Sequence, residues 1–107
     1  MGQSVYIPDT SFKAILVGNS AINTNGDTEI QMSEASSYDG GIECFGSNIS
    51  DLTGIEAFTA LTGLFCTSNN LTSLDVSQNV NLVLLHCGFN SIASLDISDL
   101  SALTILY

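Results

Sequence analysis

The C-terminal two thirds of this chain repeat themselves at an interval of about 21 residues, and that period limits the fold more than any other feature. Leu61-x-x-Leu64-x-Cys66-x-x-Asn69-x-Leu71 superposes on Leu82-x-x-Leu85-x-Cys87-x-x-Asn90-x-Ile92. The match continues through Leu74-Asp75-Val76-Ser77 over Leu95-Asp96-Ile97-Ser98. Leu103-x-x-Leu106 opens a further copy, and Ile42-x-Cys44 with Ile49 and Leu52 is a more divergent one. A unit this short cannot bury its apolar face alone, so the copies must stack, each coil covering the next. The expected architecture is a solenoid.

Within each copy the residues around the second Leu alternate with the period of a strand. Leu64 and Cys66, Leu85 and Cys87, and Ile42 and Cys44 should point inward, and stacking in register makes a parallel sheet with strands about 4.8 Å apart. Asn69 and Asn90, with Ser47 at the matching place, fall where the chain turns off the strand. A buried Asn there can hydrogen-bond backbone groups of neighbouring coils as a ladder. The second half of each copy, Leu-Asp-Val-Ser or Leu-Asp-Ile-Ser, alternates again and reads as a short second strand. The coil at 49–61 is one residue longer and has the composition of a helical turn.

With Cys in place of its third Leu, this pattern resembles the leucine-rich-repeat signature, and the Leu-x-x-Leu-Asp-Val continuation resembles the 21-residue bacterial subclass called IRREKO. The opening Ile7-Pro8-Asp9-x-x-Phe12-Lys13, with Asn48-Ile49-Ser50-Asp51-Leu52-Thr53-Gly54-Ile55, looks like secreted or surface leucine-rich-repeat proteins of Bacteroidetes-type bacteria. The resemblance implies a leucine-rich-repeat solenoid with a parallel β-sheet, a convex side of short β or irregular structure, and an N-terminal helical cap. Residues 1–40 would form the cap and 41–107 the repeats, the last one truncated. It also implies an extracellular or cell-surface setting for a fragment of a longer bacterial protein, and a non-catalytic recognition module. A purely structural spacer and an enzyme accessory domain are the alternatives.

In the cap, residues 8–18 read as a helix. Pro8 and Asp9 suit its first turn, Phe12, Ile15 and Leu16 share a face, and Gly18-Asn19 stops it. The next stretch has two readings. Counted as an EF-hand-like loop, Asn23, Asn25 and Asp27 supply side-chain oxygens to one weakly held Ca²⁺, Glu29 a backbone carbonyl and Glu34 a bidentate carboxylate. Thr28 stands where that motif wants Gly, and Asn23 where it prefers Asp. Read instead as a polar turn, the segment leads Ile30 into a short strand, with Ser33 capping a helix at Glu34-Ala35.

Charge narrows the partners. Eleven Asp and Glu against the single base Lys13 give a formal charge of −10, which disfavours nucleic acid and anionic membranes. No apolar run is long enough to cross a bilayer. The three cysteines occupy one repeat position and read as buried thiols, since no second ligand lies near any of them as zinc requires. His86 is the only histidine and points outward, away from the thiols, so no catalytic site is expected. Alternation puts Glu43, Phe65, His86 and Tyr107 in the middle row of the sheet's outer face. Leu84 and Ile105 lie on one flank and Phe45 on the other. Exposed aromatic and aliphatic groups on one face have the composition of a surface for a protein or glycan partner. The final coil, lacking a successor, suggests self-association through the C-terminal repeat.

Overall fold

The computed structural model describes residues 3–93 and 95–106. Helices α1 (Thr10–Val17) and α2 (Met32–Ser37) precede strands β1 (Gly41–Glu43), β2 (Gly63–Phe65), β3 (Leu84–His86) and β4 (Ile105–Leu106). Among the described residues the strands form one parallel sheet in sequence order. The register follows the repeat: Gly41, Gly63, Leu84 and Ile105 align, as do Ile42, Leu64, Leu85 and Leu106, and then Glu43, Phe65 and His86. Ladder bonds continue past the strands. Cys44 donates to Phe65 O (2.9 Å) and Cys66 to His86 O (2.8 Å), and Gly46 and Ser68 donate to Thr67 and Gly88. Ile42, Leu64, Leu85, Cys44 and Cys66 are buried as expected, and Cys87 is half-buried.

The asparagine ladder is present. Asn69 Oδ1 accepts from Ser47 N and Ile49 N, both at 3.0 Å, while its Nδ2 donates to Cys44 O, Cys66 O and Thr67 O. Asn90 does the same one coil on, accepting from Leu71 N and donating to Cys66, Cys87 and Gly88 carbonyls. Each amide thereby binds its own turn to the preceding coil and satisfies main-chain groups that would otherwise be buried without partners.

The expected second strand does not form. Residues 74–77 and 95–98 carry no strand among the described residues, and the convex side is irregular apart from a 3₁₀ turn at Ile55–Ala57 in the longer coil. The aspartates decide this. Asp75 Oδ1 accepts from Ser77 N at 3.0 Å and Ser77 Oγ at 2.7 Å, and Asp96 repeats the pattern on Ser98. Asp51 does so on Thr53. Such side-chain turns compete with ladder pairing. The buried Asn79 lies between coils here, donating to Ile55 O and Phe58 O, both at 2.9 Å.

The cap helix begins later than expected. Asp9 is the residue before it, not part of its first turn, and Pro8 lies outside. Asp9 Oδ1 accepts from Ser11 N and Phe12 N (both 3.0 Å), and Oδ2 accepts from Ser50 N (2.9 Å) in the first coil. One carboxylate therefore caps the helix and ties it to the solenoid. Phe12 and Leu16 are fully buried, each worth about 1.5–3 kcal/mol of apolar burial. Gly54, at φ +110°, lets the cap approach: a Cβ there would lie 2.8 Å from Ile7 Cγ1 and 3.0 Å from Tyr6 O.

Candidate functional site

Two regions bear on function, the cap loop at 23–34 and the outer face of the sheet. In the loop, Asn25, Asp27, Gln31 and Glu34 come together, Asn23 is buried against the Asp27 backbone, and the Glu29 side chain turns to Lys13. Asn23 is buried; its Nδ2 donates to Val17 O (3.0 Å) and Asp27 O (2.7 Å), and its Oδ1 has no hydrogen-bond partner. Both Glu29 oxygens pair with Lys13 Nζ at 2.9 Å. Asp27 Oδ1 accepts from Glu29 N, and Asp27 Oδ2 from Asn25 Nδ2 and Gln31 Nε2.

Glu34 is saturated with donors. Its Oε1 accepts from Gln31 N at 2.9 Å, and its Oε2 from Thr24 N, Asn25 N and Thr24 Oγ1. Slight burial pushes this carboxyl up, but those N–H and O–H groups outweigh it and hold it below its ordinary value. Its role in the fold is to start α2: the helix is capped at Gln31 and not at Ser33, which sits inside the first turn. Among the described residues no group of three or more His, Cys, Asp or Glu side chains is arranged to hold a metal ion.

On the sheet face, Glu43, Phe65 and His86 are side by side, and the Phe65 and His86 rings meet edge to face at 5.0 Å and 84°. Such a pair adds about 0.5–1.5 kcal/mol beyond burial. Phe65 also leans across the two glycines of the preceding row. Its Cε2 lies 3.0 Å from where a Cβ on Gly63 would stand and 3.2 Å from one on Gly41. Glycine at both places is therefore room for this ring, and Phe65 is half-buried. Leu84 and His86 are likewise half-buried, and Glu43 is exposed. Phe45 is 60% exposed. Ile105 aligns with Leu84 in backbone register; Tyr107 lies outside the described residues.

One surface residue escapes the strand-by-strand reading. Phe89 is 87% exposed and has φ +54°. Gly46 (φ +62°) and Ser68 (φ +59°) hold the equivalent turn position, each following the ladder by the same step. The turn needs a left-handed residue, and a bulky side chain there costs of order 1–3 kcal/mol. Nothing in the core rewards this one. The signal was available in the alignment of Gly46 with Ser68 and Phe89, once the turn rather than the strand was compared.

The three thiols face the interior, away from His86. Burial pushes Cys44 and Cys66 up to about 12 and raises Cys87 as well, so the column is protonated and unreactive near neutrality.

No family model matches the chain. It is similar to Internalin J of Listeria monocytogenes, 40% identical over 75 residues that make up 69% of this chain and 8% of that protein. The solved functional domain of InlJ, which includes a cysteine ladder, superposes with a TM-score of 0.82 at 40% identity, covering 97% of this chain and 23% of that one. The internalin InlF of the same species superposes with a TM-score of 0.84 at 22% identity, covering 100% of this chain and 32% of that one. The chain thus spans about a third or less of each relative. Stacked register, asparagine ladder and these likenesses agree: this is a bacterial leucine-rich-repeat protein with the solenoid fold.

Proposed function

We propose that the chain is a non-catalytic recognition module whose outer sheet face and adjoining turns contact a protein partner outside the cell. One observation carries the reading: Phe89 is held in a strained turn, exposed, beside a face that also presents Phe45, Leu84 and His86. A strained, solvated aromatic with no packing role is expected where a surface serves binding. The likeness to internalins supports a surface or secreted setting. The thiol column reads as the counterpart of the InlJ cysteine ladder, with packing rather than chemistry as its role. The repeat phrasing keeps the chain close to the 21-residue IRREKO-like class.

The test is a displayed random-peptide library panned on the folded chain. Selected binders should lose most of their affinity to Phe45→Ser, His86→Ala and Phe89→Ser variants whose melting is unchanged, and keep it with Asp75→Asn on the convex side. Binders that ignore the first three substitutions would sink the reading.

A second reading has one observation in its favour. Asn23 Oδ1 is buried and unpartnered, the kind of atom a cation or a water would satisfy. We propose one weak Ca²⁺ in the 23–34 loop as a stabiliser of the cap. It requires Glu34 to release some of its N–H donors. Calorimetric titration of metal-stripped protein should show one saturable site and a raised melting temperature; a flat titration removes the ion from the account.

A further inference from the structure

We propose that the hollow between the cap and β1 takes an arginine or lysine side chain of the partner, with Glu43 as its counter-charge. The inference rests on the recognition reading above and names the chemistry it selects. The hollow, of ≈ 290 Å³, is bordered by Ile15, Asn19 and Ile22 of the cap, by Tyr38, and by Gly41 and Glu43 of β1. In a parallel ladder, alternate residues turn their amide groups to opposite edges. Cys44 N bonds Phe65 O, so Gly41 and Glu43 present theirs toward the cap. The Gly41 carbonyl there already accepts from Tyr38 Oη at 2.7 Å. The Glu43 carbonyl is the next acceptor along that edge.

The Glu43 side chain adds the charge. It is exposed, and among the described residues no ion pair or hydrogen bond takes it up; Lys13 is held by Glu29. Aromatics flank the carboxylate on both sides, one in the turn after β1 and one from β2. Two residues on stands Phe45, 60% exposed, and two residues back the Phe65 ring lies over Gly41. Strand geometry puts Gly41, and the ring over it, about 7 Å from Glu43, within reach of a cation on an aromatic face. A guanidinium fits this arrangement best, its planar fork donating to the carboxylate and the Glu43 carbonyl while its face meets a ring. With a formal charge of −10 and Lys13 as its one Lys or Arg, the chain attracts a basic partner at long range.

The experiment is an NMR titration of ¹⁵N-labelled chain with a blocked Gly-Ser-Arg-Ser-Gly peptide, against the same peptide with citrulline for arginine. Arginine peptide should shift amides at Tyr38, Glu43, Phe45 and Phe65 with millimolar affinity, weaken with added salt, and bind at least about tenfold more weakly to Glu43→Gln. Equal shifts with citrulline, unchanged binding to Glu43→Gln, or shifts spread equally over Asp75 and Asp96 would each overturn the slot. If panned peptides still depend on Phe45, His86 and Phe89 while the arginine peptide does nothing, the recognition face stands and this assignment alone fails.

Discussion

Replacing Asn69 by Ala should cost more than any comparable polar change in the chain, and the structure lets the cost be worked out. The side chain is 8% exposed and accepts from two main-chain N–H groups while donating to three carbonyls. Ile49 is fully buried, so its N–H is left without any partner, at about 1–3 kcal/mol. Ser47 is only half-buried, and water can reach its N–H. The Cys66 carbonyl keeps its bond from Asn90 at 2.9 Å. Adding about 1 kcal/mol for the remaining net losses gives a total of ~3–5 kcal/mol, a large part of the ~5–15 kcal/mol that holds a typical domain together. In urea, with a slope of about 2 kcal/mol per molar, the midpoint should fall by roughly 2 M with little change of slope. Asn70→Ala, one residue on and exposed, should stay within about 0.5 kcal/mol of the parent. A loss at Asn69 below about 1 kcal/mol would show that the ladder amides find water or other partners, and the argument for a structural asparagine column would fail.

Three further outcomes follow from the same geometry. Phe89→Gly relieves the left-handed strain, so it should raise stability by about 1 kcal/mol while reducing capture of panned peptides; a loss of stability would mean that the ring packs. Burial holds the Cys44 and Cys66 thiols protonated up to about 12, whereas unfolded thiols ionise near about 8.5. The stabilisation is therefore complete below the unfolded value and is lost as pH rises toward the folded one. The melting temperature should fall across that window, and a Cys66→Ala variant should flatten the fall; native alkylation should reach half-buried Cys87 first. At Asp9, burial pushes the carboxyl up, but the N–H groups of Phe12, Ser50, Ser11 and Asp51 together bring it below 3.8. A lowered carboxylate stabilises above its unfolded value and stops doing so as pH falls through its folded one. Asp9→Ala should cost about 1 kcal/mol near neutrality and lose that difference in acid, as read by urea midpoints at each pH.

The legible part of this molecule was its interior periodicity. Leu64 with Cys66 and Leu85 with Cys87 mark inward positions because a strand turns every second side chain one way, and the two Asn residues could be assigned a ladder because only hydrogen bonding justifies burying an amide. The convex side misled. Leu-Asp-Val-Ser alternates as a strand does, yet Asp75 bonds Ser77 within the same turn, and alternation alone does not distinguish a ladder from a local side-chain turn. The cap loop shows the same limit. Its spacing matched an oxygen-ligand pattern but did not show that the Glu29 side chain, from which that pattern asks only the backbone carbonyl, pairs with Lys13 sixteen residues away, or that Glu34 also starts a helix. Spacing does not reveal such competing partners.

By itself, then, the sequence determined a stacked parallel sheet, its register, its inward thiols and the order of its outer face, because a fixed period forces each coil into the same environment as the last. Only the tertiary structure decided what the non-repeating residues do. Phe65 lies over two glycines from different coils, Asp9 bridges the cap to Ser50, and Glu43 borders a hollow with no ion pair to it among the described residues. Most of these contacts join residues distant in the chain that no period relates, and their energies depend on distances that exist only after the coils have stacked.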